Sequence, residues 1–321
     1  MLGSLLDDAL DRTVVGGYTN VGYALRSQLW PPDDLPSMAG RTALVTGATS
    51  GLGLATAEGF ARLGARVVLV ARDAERGERA RARVAEYGRG VQPQLELCDL
   101  ASLRAVGELA ERVKAGLDRL DVAVHNAGVL PPARELTVDG IELTFAVNVV
   151  APFLLTRRLV DMLQRSRPAR IVTVSSGGMY ARGLHASDLQ FAAGEFSGTT
   201  AYARTKRAQV VLAEMWASRL RDRGIVVSAV HPGWADTPGL SAALPAFHRL
   251  TRPLLRTAEQ GADTIVWLGA AARPGRETGG FWHDRRRRPT HLLPGTGESA
   301  ADRQTLWQEC ERLTGGPVRD A

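Results

Sequence analysis

A glycine-rich turn between a predicted strand and a predicted helix constrains this fold more than any other feature. Residues 42–46 form a short apolar run, and glycines follow it at positions 47, 51 and 53, before a helical apolar pattern. Gly47 permits a tight turn, Gly51 lets the backbone approach a pyrophosphate, and Gly53 lets the helix pack against the strand. The free N–H groups at such a helix N-terminus bind phosphate. The turn therefore predicts a nucleotide-binding unit with contacts from Gly47, Thr49, Ser50, Gly51, Leu52 and Gly53.

The rest of the chain alternates short apolar runs with amphipathic helical patterns. The further predicted strands are residues 66–71, 94–98, 120–124, 170–174 and 225–230. Such alternation, with helices of this length, produces a right-handed, parallel, doubly wound sheet. We therefore predict an α/β fold, a single Rossmann-type doubly wound parallel sheet of about seven strands with helices on both faces.

A chain of 321 residues suits one large domain with extensions. We assign residues 39–321 to that domain, with a long helix over residues 137–167, a substrate lid at about 235–256 and a C-terminal extension at about 283–321. Residues 1–38 are predicted to be an N-terminal extension that begins with a helical pattern of Leu2, Leu5, Leu6, Ala9 and Leu10. We expect this extension to pack on its own domain or on a partner subunit, the alternative being an interfacial membrane helix.

Open α/β sheets bind ligands at the carboxyl ends of their strands. The second strand ends at Ala71, where an acidic residue would bond the adenosine ribose, and Arg72 follows. Because an arginine there accommodates a 2′-phosphate, the pattern favours NADP(H) over NAD(H). The alternative is that Arg72 only opens a charged helix beside Asp73. The other predicted cofactor contacts follow later strands and are Asp99, Leu100, Asn126, Ala127, Gly128, Pro232, Gly233, Trp234 and Thr237.

Tyr202 and Lys206 are the strongest candidates for chemistry. They lie four residues apart in a helical pattern, which places both side chains on one face of the helix. A cation close to a phenol favours the phenolate and lowers the pKa of the phenol. Lys206 is one of only two lysines among 40 Lys and Arg residues. Because arginine serves nearly everywhere else, a lysine here indicates that the position requires a compact ammonium rather than a planar guanidinium. The alternative is an exposed pair on an ordinary helix.

Three further polar residues accompany this pair. Ser176 follows the fifth strand and therefore faces the same crevice as the glycine turn. Asn148 lies among valines, so its amide needs partners, and it either braces the backbone or orders a water that relays protons. His231 follows the sixth strand, and we expect it to be a structural histidine rather than an acid or base.

Charge and cysteine content limit the other functions. The net charge is +6, but most arginines alternate with acids, which is typical of solvated helix faces. The one dense run, Arg285 to Arg288, is predicted to be a loop at the substrate mouth or a solvated surface rather than a nucleic-acid site. Neither Cys98 nor Cys310 has the spacing of a metal ligand, so we expect no metal and a reducing, cytoplasmic setting. The sequence contains no run of 18 apolar residues, so we expect no helix that spans a bilayer.

Taken in order, these motifs resemble the classical short-chain dehydrogenases/reductases over residues 41–280. The resemblance implies an Asn-Ser-Tyr-Lys tetrad, carried here by Asn148, Ser176, Tyr202 and Lys206. Ser175 is the neighbouring candidate, but the second serine of this pair is the usual one in the family. One departure is His125, which replaces the first Asn of the family's Asn-Asn-Ala-Gly motif. The long segment between Ser176 and Tyr202 is similar to the retinol dehydrogenase-like branch, and the C-terminal third looks closest to an orphan branch, dehydrogenase/reductase member twelve.

The resemblance implies an NADP(H)-dependent oxidoreductase that interconverts an apolar alcohol and its aldehyde or ketone. Tyr202 would be the general acid or base, Ser176 would bond the substrate oxygen, and Lys206 would lower the Tyr202 pKa and bond the nicotinamide ribose. The family's usual helix contacts imply a homo-oligomer. The alternative function is a non-catalytic NADP(H)-binding scaffold or redox sensor.

Overall fold

The computed structural model describes residues 7, 10, 11, 13–31, 35–292 and 294–318. Leu2, Leu5, Leu6 and Ala9 of the predicted N-terminal helix lie outside the described residues. One eight-stranded sheet has the order β3-β2-β1-β4-β5-β6-β7-β8. Its strands are β1 (Thr42–Thr46), β2 (Arg66–Ala71), β3 (Gln94–Leu97), β4 (Val122–His125), β5 (Ala169–Val174), β6 (Ile225–Val230), β7 (Gly280–His283) and β8 (Arg286–Arg287).

The predicted doubly wound sheet of about seven parallel strands is confirmed. Strands β1 to β7 pair in parallel, and the eighth, β8, is a short antiparallel addition. Asp284 and Arg285 join β7 to β8 with φ of 48° and 56°, and two left-handed residues are what a tight two-residue hairpin of this kind requires. The sheet order reverses between β1 and β4, and this switch point is where such folds bind ligands.

Helices cover both faces of the sheet. The described helices of the domain are Gly51–Arg62, Ala74–Ala85, Leu103–Gly116, Leu143–Arg165, Gly198–Leu220, Pro238–Ala243, Pro245–Thr251, Ala258–Ala270 and Ala300–Leu313. One apolar cluster, which includes Phe153 and Trp216, packs against one face. A second cluster, which includes Phe60 and Trp267, packs against the other. The two clusters pack the helices against the sheet and so fix the positions of the strand ends relative to the helices.

The helix predicted over residues 137–167 is shorter than expected. It begins at Leu143 and ends at Arg165. Gly140 has φ +73°, and the Glu142 carboxylate accepts hydrogen bonds from the first backbone N–H groups of the helix, so the chain before residue 143 is a turn. By length and composition the helix could cross a membrane, but it lies mostly buried in the core. Within it, Ala146–Val150 is π-helical, a local widening that is common at functional sites.

The described part of the N-terminal extension packs on its own domain, as predicted. It forms two short helices, Val14–Tyr18 and Asn20–Ser27. Arg26 is 2% exposed and forms ion pairs with Asp7 at 2.7 Å and with Asp284 at 2.8 Å. Because Asp284 belongs to the β7–β8 turn, this buried network joins the extension to the edge of the sheet.

The prediction for Arg285 to Arg288 was wrong for the first and last residues of the run. Arg285 and Arg288 are each 8% exposed. Arg285 forms a two-fold ion pair with Asp263, and Arg288 forms one with Asp7 of the extension. These carboxylates are far away in sequence, so the local pattern of four arginines could not reveal them. Arg285 and Arg288 are therefore structural anchors, whereas Arg287 is exposed as predicted for a solvated surface.

Candidate active site

The glycine turn has the geometry of a phosphate site. Gly47 and Gly51 adopt φ of +66° and +51°, which suit glycine, and the helix Gly51–Arg62 begins within the turn. A side chain at Gly53 would place its Cβ 2.2 Å from the Gly47 carbonyl oxygen and 2.5 Å from Nδ2 of Asn126. The backbone therefore passes close to the ends of β1 and β4, and the N–H groups of this turn fit a pyrophosphate.

Asn126 links the turn to β4. Its Nδ2 donates to the Thr46 carbonyl oxygen at 2.9 Å, and its backbone N–H donates to the Thr46 hydroxyl at 3.0 Å. The backbone N–H of Ala127 shares that hydroxyl at 3.1 Å. Thr46 was not among the predicted site residues, although it ends β1 immediately before the turn. Its hydroxyl fixes the predicted contacts Asn126 and Ala127 against the glycine turn.

Asn148 braces the backbone beside the predicted contact Gly128. Its Oδ1 accepts from the Val129 N–H at 2.9 Å, and its Nδ2 donates to the Val129 carbonyl at 3.2 Å and to the Thr205 hydroxyl at 3.0 Å. Nε2 of Gln209 donates to the Asn148 carbonyl at 2.6 Å. Of its two predicted roles, the bracing role is the one with observed contacts, and the ordering of a water stays a prediction.

Lys206 is buried at the carboxyl end of β5. Its side chain is 2% exposed, and Nζ donates to the Val174 carbonyl at 2.9 Å and lies 5.2 Å from the centroid of the Tyr202 ring. Burial lowers the pKa of the Lys206 ammonium to about 7. The ammonium also adjoins Gly128, where an added Cβ would lie 3.4 Å from Nζ.

Tyr202 and Ser176 lie together at the mouth of the site. A hydrogen bond with Ser176 lowers the pKa of the Tyr202 hydroxyl, but burial raises it by more, so the net pKa lies above the usual value. The prediction that Lys206 makes this phenol more acidic was therefore wrong for the structure. Removing both groups from water favours their neutral forms, and Lys206 bonds a carbonyl instead of the phenol.

The two neighbouring serines have different environments. The Ser175 hydroxyl is buried and donates to the Lys206 carbonyl at 2.8 Å. The Ser176 hydroxyl is half-buried, accepts from the Gly178 N–H at 3.2 Å and adjoins the Tyr202 hydroxyl, whose pKa it lowers. The predicted choice of Ser176 over Ser175 therefore agrees with the geometry, since only Ser176 adjoins the phenol.

His231 joins the Ser176 loop to the turn after β6. Its Nδ1 accepts from the N–H groups of Gly177 at 3.1 Å and Gly233 at 3.4 Å. Burial holds the pKa of His231 well below its usual value, so the ring is neutral and Nε2 carries the proton. The bonds to Nδ1 agree with the predicted structural role, but Nε2 is buried without a hydrogen-bond partner, so the histidine is satisfied on one nitrogen only. Arg256 was not among the predicted site residues. Its side chain packs directly against Gly233, where an added Cβ would lie 2.3 Å from Nε of Arg256, and this contact fixes the Pro232–Gly233 turn.

The remaining predicted contacts follow strands β2, β3 and β6 or belong to the glycine turn. Arg72 is exposed at the end of β2, and its neighbour Asp73 caps the next helix. Asp99 is exposed and accepts from the Ala101 N–H at 3.0 Å.

Thr237 lies over the glycine turn, with Cγ2 at 3.0 Å from the Cβ position of Gly51, and caps the helix Pro238–Ala243. Ser50 caps the helix after the turn by position, Leu52 contacts Gly261, and Leu100 packs on the core.

Comparisons with known proteins agree with this site. Residues 41–245 match the family model described as short chain dehydrogenase. The chain is 40% identical over 299 residues to dehydrogenase/reductase SDR family member 12 from Bos taurus, covering 92% of this chain and 93% of that protein. It is 33% identical over 297 residues to retinol dehydrogenase 14 from Mus musculus, covering 87% of both proteins.

Solved structures show the same fold. A protein from Mycobacterium paratuberculosis has a TM-score of 0.72 at 27% identity, covering 90% of this chain and 99% of that chain. A Beutenbergia cavernae protein with NADP bound at low occupancy has a TM-score of 0.63 at 29% identity, covering 76% of this chain and 95% of that chain. The chain therefore belongs to the short-chain dehydrogenase/reductase family and is an oxidoreductase. Its predicted similarity to the branch of family member 12, with retinol dehydrogenases next, is confirmed.

Proposed function

We propose that this protein is an NADP(H)-dependent enzyme that interconverts an apolar alcohol and its aldehyde or ketone, with Tyr202 as the general acid or base. The observation that carries the proposal is that Ser176, just past the carboxyl end of β5, adjoins the Tyr202 hydroxyl closely enough to lower its pKa, while Lys206 is buried with Nζ 5.2 Å from the Tyr202 ring centroid. Because the Tyr202 phenol and the Ser176 hydroxyl adjoin each other, both can form a hydrogen bond with the same substrate oxygen.

NADP(H), when bound, supplies or accepts the hydride at the carbonyl carbon. In reduction, Tyr202 gives its proton to the carbonyl oxygen, and Ser176 donates a hydrogen bond to the same oxygen and stabilises its developing charge. The raised pKa keeps the Tyr202 hydroxyl protonated at neutral pH, which is the form that reduction needs. In oxidation the Tyr202 phenolate accepts the proton of the alcohol, so that direction requires Tyr202 to lose its own proton first. We propose that Lys206 bonds the nicotinamide ribose and that Asn148 holds the Gly128–Val129 backbone in place.

Two observations support NADP(H) as the cofactor. Arg72 is exposed directly after Ala71, the last residue of β2, so its guanidinium is available to a 2′-phosphate, and the carboxylate of Asp73 is engaged in capping the next helix. The related Beutenbergia cavernae structure also contains NADP. The phosphates would bind at the helix N-terminus after Gly47, and the carboxamide at the turn from Pro232 to Trp234, with the Thr237 hydroxyl nearby.

An apolar substrate is supported by the similarity to retinol dehydrogenase 14, whose name gives an apolar alcohol. The half-buried rings of Trp234 and Phe247 pack edge to face at 5.0 Å between the turn after β6 and the segment 235–256. We propose that this segment is the substrate lid. A parallel bridge between Ala235 and Arg256 closes its base, so the two short helices between them form one unit.

The proposal also places the enzyme in the cytoplasm as a homo-oligomer. The decisive experiment is a screen of aldehydes, ketones and apolar alcohols with NADPH, NADH, NADP and NAD, followed by absorbance at the nicotinamide band. The proposal expects turnover of at least one apolar carbonyl, with NADPH preferred over NADH. Tight NADPH binding without turnover of any of them would instead favour the alternative of a scaffold or redox sensor.

A further inference from the structure

Tyr18 of the N-terminal extension lies against both loops that carry the proposed chemistry. Its ring stacks on Trp234 at a centroid distance of 5.7 Å and lies 4.8 Å from the ring of His231. A Cβ added at Gly177, the residue after Ser176, would lie 3.1 Å from Cε1 of Tyr18. One ring therefore spans the gap between the Ser176 loop and the turn after β6.

The backbone around Tyr18 is tied firmly to the domain. Three consecutive carbonyls accept hydrogen bonds from residues of the domain. The Gly17 carbonyl bonds His283 at 2.5 Å, the Tyr18 carbonyl accepts from the Trp234 N–H at 2.8 Å, and the Thr19 carbonyl accepts from Arg256 at 3.2 Å. Arg256 is 1% exposed and its charge is balanced by Asp284. The position of the Tyr18 ring is therefore fixed by buried contacts.

The extension also contacts the proposed lid. Nδ2 of Asn20 donates to the Pro253 carbonyl at 3.0 Å. Trp234 stacks with Tyr18 on one side and contacts Phe247 of segment 235–256 on the other. Tyr18, Trp234 and Phe247 are all half-buried, as are Ser176 and Tyr202, whereas the ion pairs behind Tyr18 are buried. The Tyr18 ring is therefore partly exposed and adjoins Gly177, the residue next to Ser176.

We propose that Tyr18 forms one wall of the substrate cleft and determines specificity for neutral carbonyls or alcohols that carry a flat apolar group beside the reacting carbon. Flat aromatic faces favour offset stacking with such groups. A charged substituent on the substrate would lose its hydration against these rings. It would gain no ion pair with Arg256 in return, because Arg256 is already paired with Asp284. This inference rests on the proposed function, because it assigns a substrate class to the same site.

Two probes test the inference in the full chain, 2-acetylnaphthalene as a flat apolar ketone and butan-2-one as a small one. Tyr18→Ala is expected to lower kcat/KM for 2-acetylnaphthalene at least about tenfold, mainly by raising KM, and to change butan-2-one less than about twofold. Tyr18→Phe keeps the ring and is expected to keep the preference. Tyr18→Leu keeps volume without the ring, is expected to lose the preference, and serves if the alanine variant fails to fold.

Val21→Ala is the matched control, because Val21 belongs to the same extension and is 45% exposed. It should leave the ratio of the two kcat/KM values unchanged. An equal loss for both ketones in Tyr18→Leu, or no loss for either, would overturn the inference, since the first outcome describes a purely structural residue.

Calorimetric binding of 2-acetylnaphthalene to the NADP-loaded chain separates this inference from the proposed function. Binding that weakens about tenfold in Tyr18→Leu supports the inference even if no ketone turns over, in which case only the proposed function fails. Turnover of other carbonyls without any binding of 2-acetylnaphthalene to the unmodified chain overturns the inference and leaves the proposed function standing.

Discussion

Nζ of Lys206 donates a hydrogen bond to the Val174 carbonyl oxygen at 2.9 Å, at the end of the strand that carries Ser176. The amine thus reaches from its helix to the end of β5, and it stands 5.2 Å from the Tyr202 ring centroid. Its burial lowers the pKa of the ammonium to about 7. A lysine with this pKa exchanges protons near neutrality, beside a phenol that stays protonated.

Lys206 should make stability depend on pH. Its pKa is about 7 when folded and 10.5 when unfolded, so the unfolded chain binds more protons between these values. The free energy of unfolding should therefore rise with pH from about 7, by roughly 1.4 kcal/mol per pH unit, and level off above 10.5. Urea unfolding of the cofactor-free protein and of Lys206→Met at pH 7, 8 and 9 measures this. If the difference between the two proteins does not change with pH, the lysine is not buried as described.

Arg72 should control the choice of cofactor. A charge-assisted hydrogen bond to a 2′-phosphate contributes roughly 1.5–3 kcal/mol, so Arg72→Ala should raise KM for NADPH about tenfold or more. KM for NADH should change less than about twofold. Arg76→Ala is the control, because Arg76 is exposed on the following helix. Equal losses for both cofactors would remove Arg72 from the phosphate site.

Gly53 should be essential to the phosphate turn. An alanine there would place its Cβ 2.2 Å from the Gly47 carbonyl oxygen, so the turn must shift. Gly53→Ala is expected to raise the dissociation constant of NADPH at least about tenfold, which corresponds to roughly 1.4 kcal/mol. Gly107→Ala is the matched control, since no atom lies within 4 Å of that Cβ position in its helix. Unchanged binding in Gly53→Ala would contradict the close approach of helix and strand.

Asn148 should contribute to stability independently of turnover. Asn148→Ala leaves the Val129 backbone and the Thr205 hydroxyl without their partner, and unsatisfied buried groups cost roughly 1–3 kcal/mol each. We expect the free energy of unfolding to fall by about 2–3 kcal/mol. Asn20→Ala, which removes an exposed hydrogen bond to Pro253, should cost less than about 0.5 kcal/mol. Equal losses in the two variants would show that the bracing contacts contribute little.

Local sequence patterns predicted the parts of this protein that local chemistry determines. The strand–glycine–helix pattern at Gly47 and the helical spacing of Tyr202 and Lys206 depend on neighbours within a few residues, and the structure has both. Strand ends meet at one edge of a parallel sheet, so the proximity of Ser176 to Tyr202 also followed from the pattern.

Contacts between distant residues could not be predicted in this way. Arg26 pairs with Asp284, which is 258 residues away in the sequence, and a local hydrophobic pattern cannot predict such a pair. The same holds for Tyr18, whose place beside Gly177 depends on how the extension packs. The expected effect of Lys206 on Tyr202 was wrong because spacing gives proximity but not the cost of burial, which here dominates both pKa values.

The most direct test of the account is the rate of carbonyl reduction by Tyr202→Phe. This change removes one hydroxyl and keeps the ring, so NADPH should bind as in the unmodified protein. A positioned general acid contributes roughly 10²–10⁴-fold to a rate, and kcat should fall within that range. A kcat within about twofold of the unmodified enzyme, with NADPH binding preserved, would contradict the role of Tyr202 and with it the proposed mechanism.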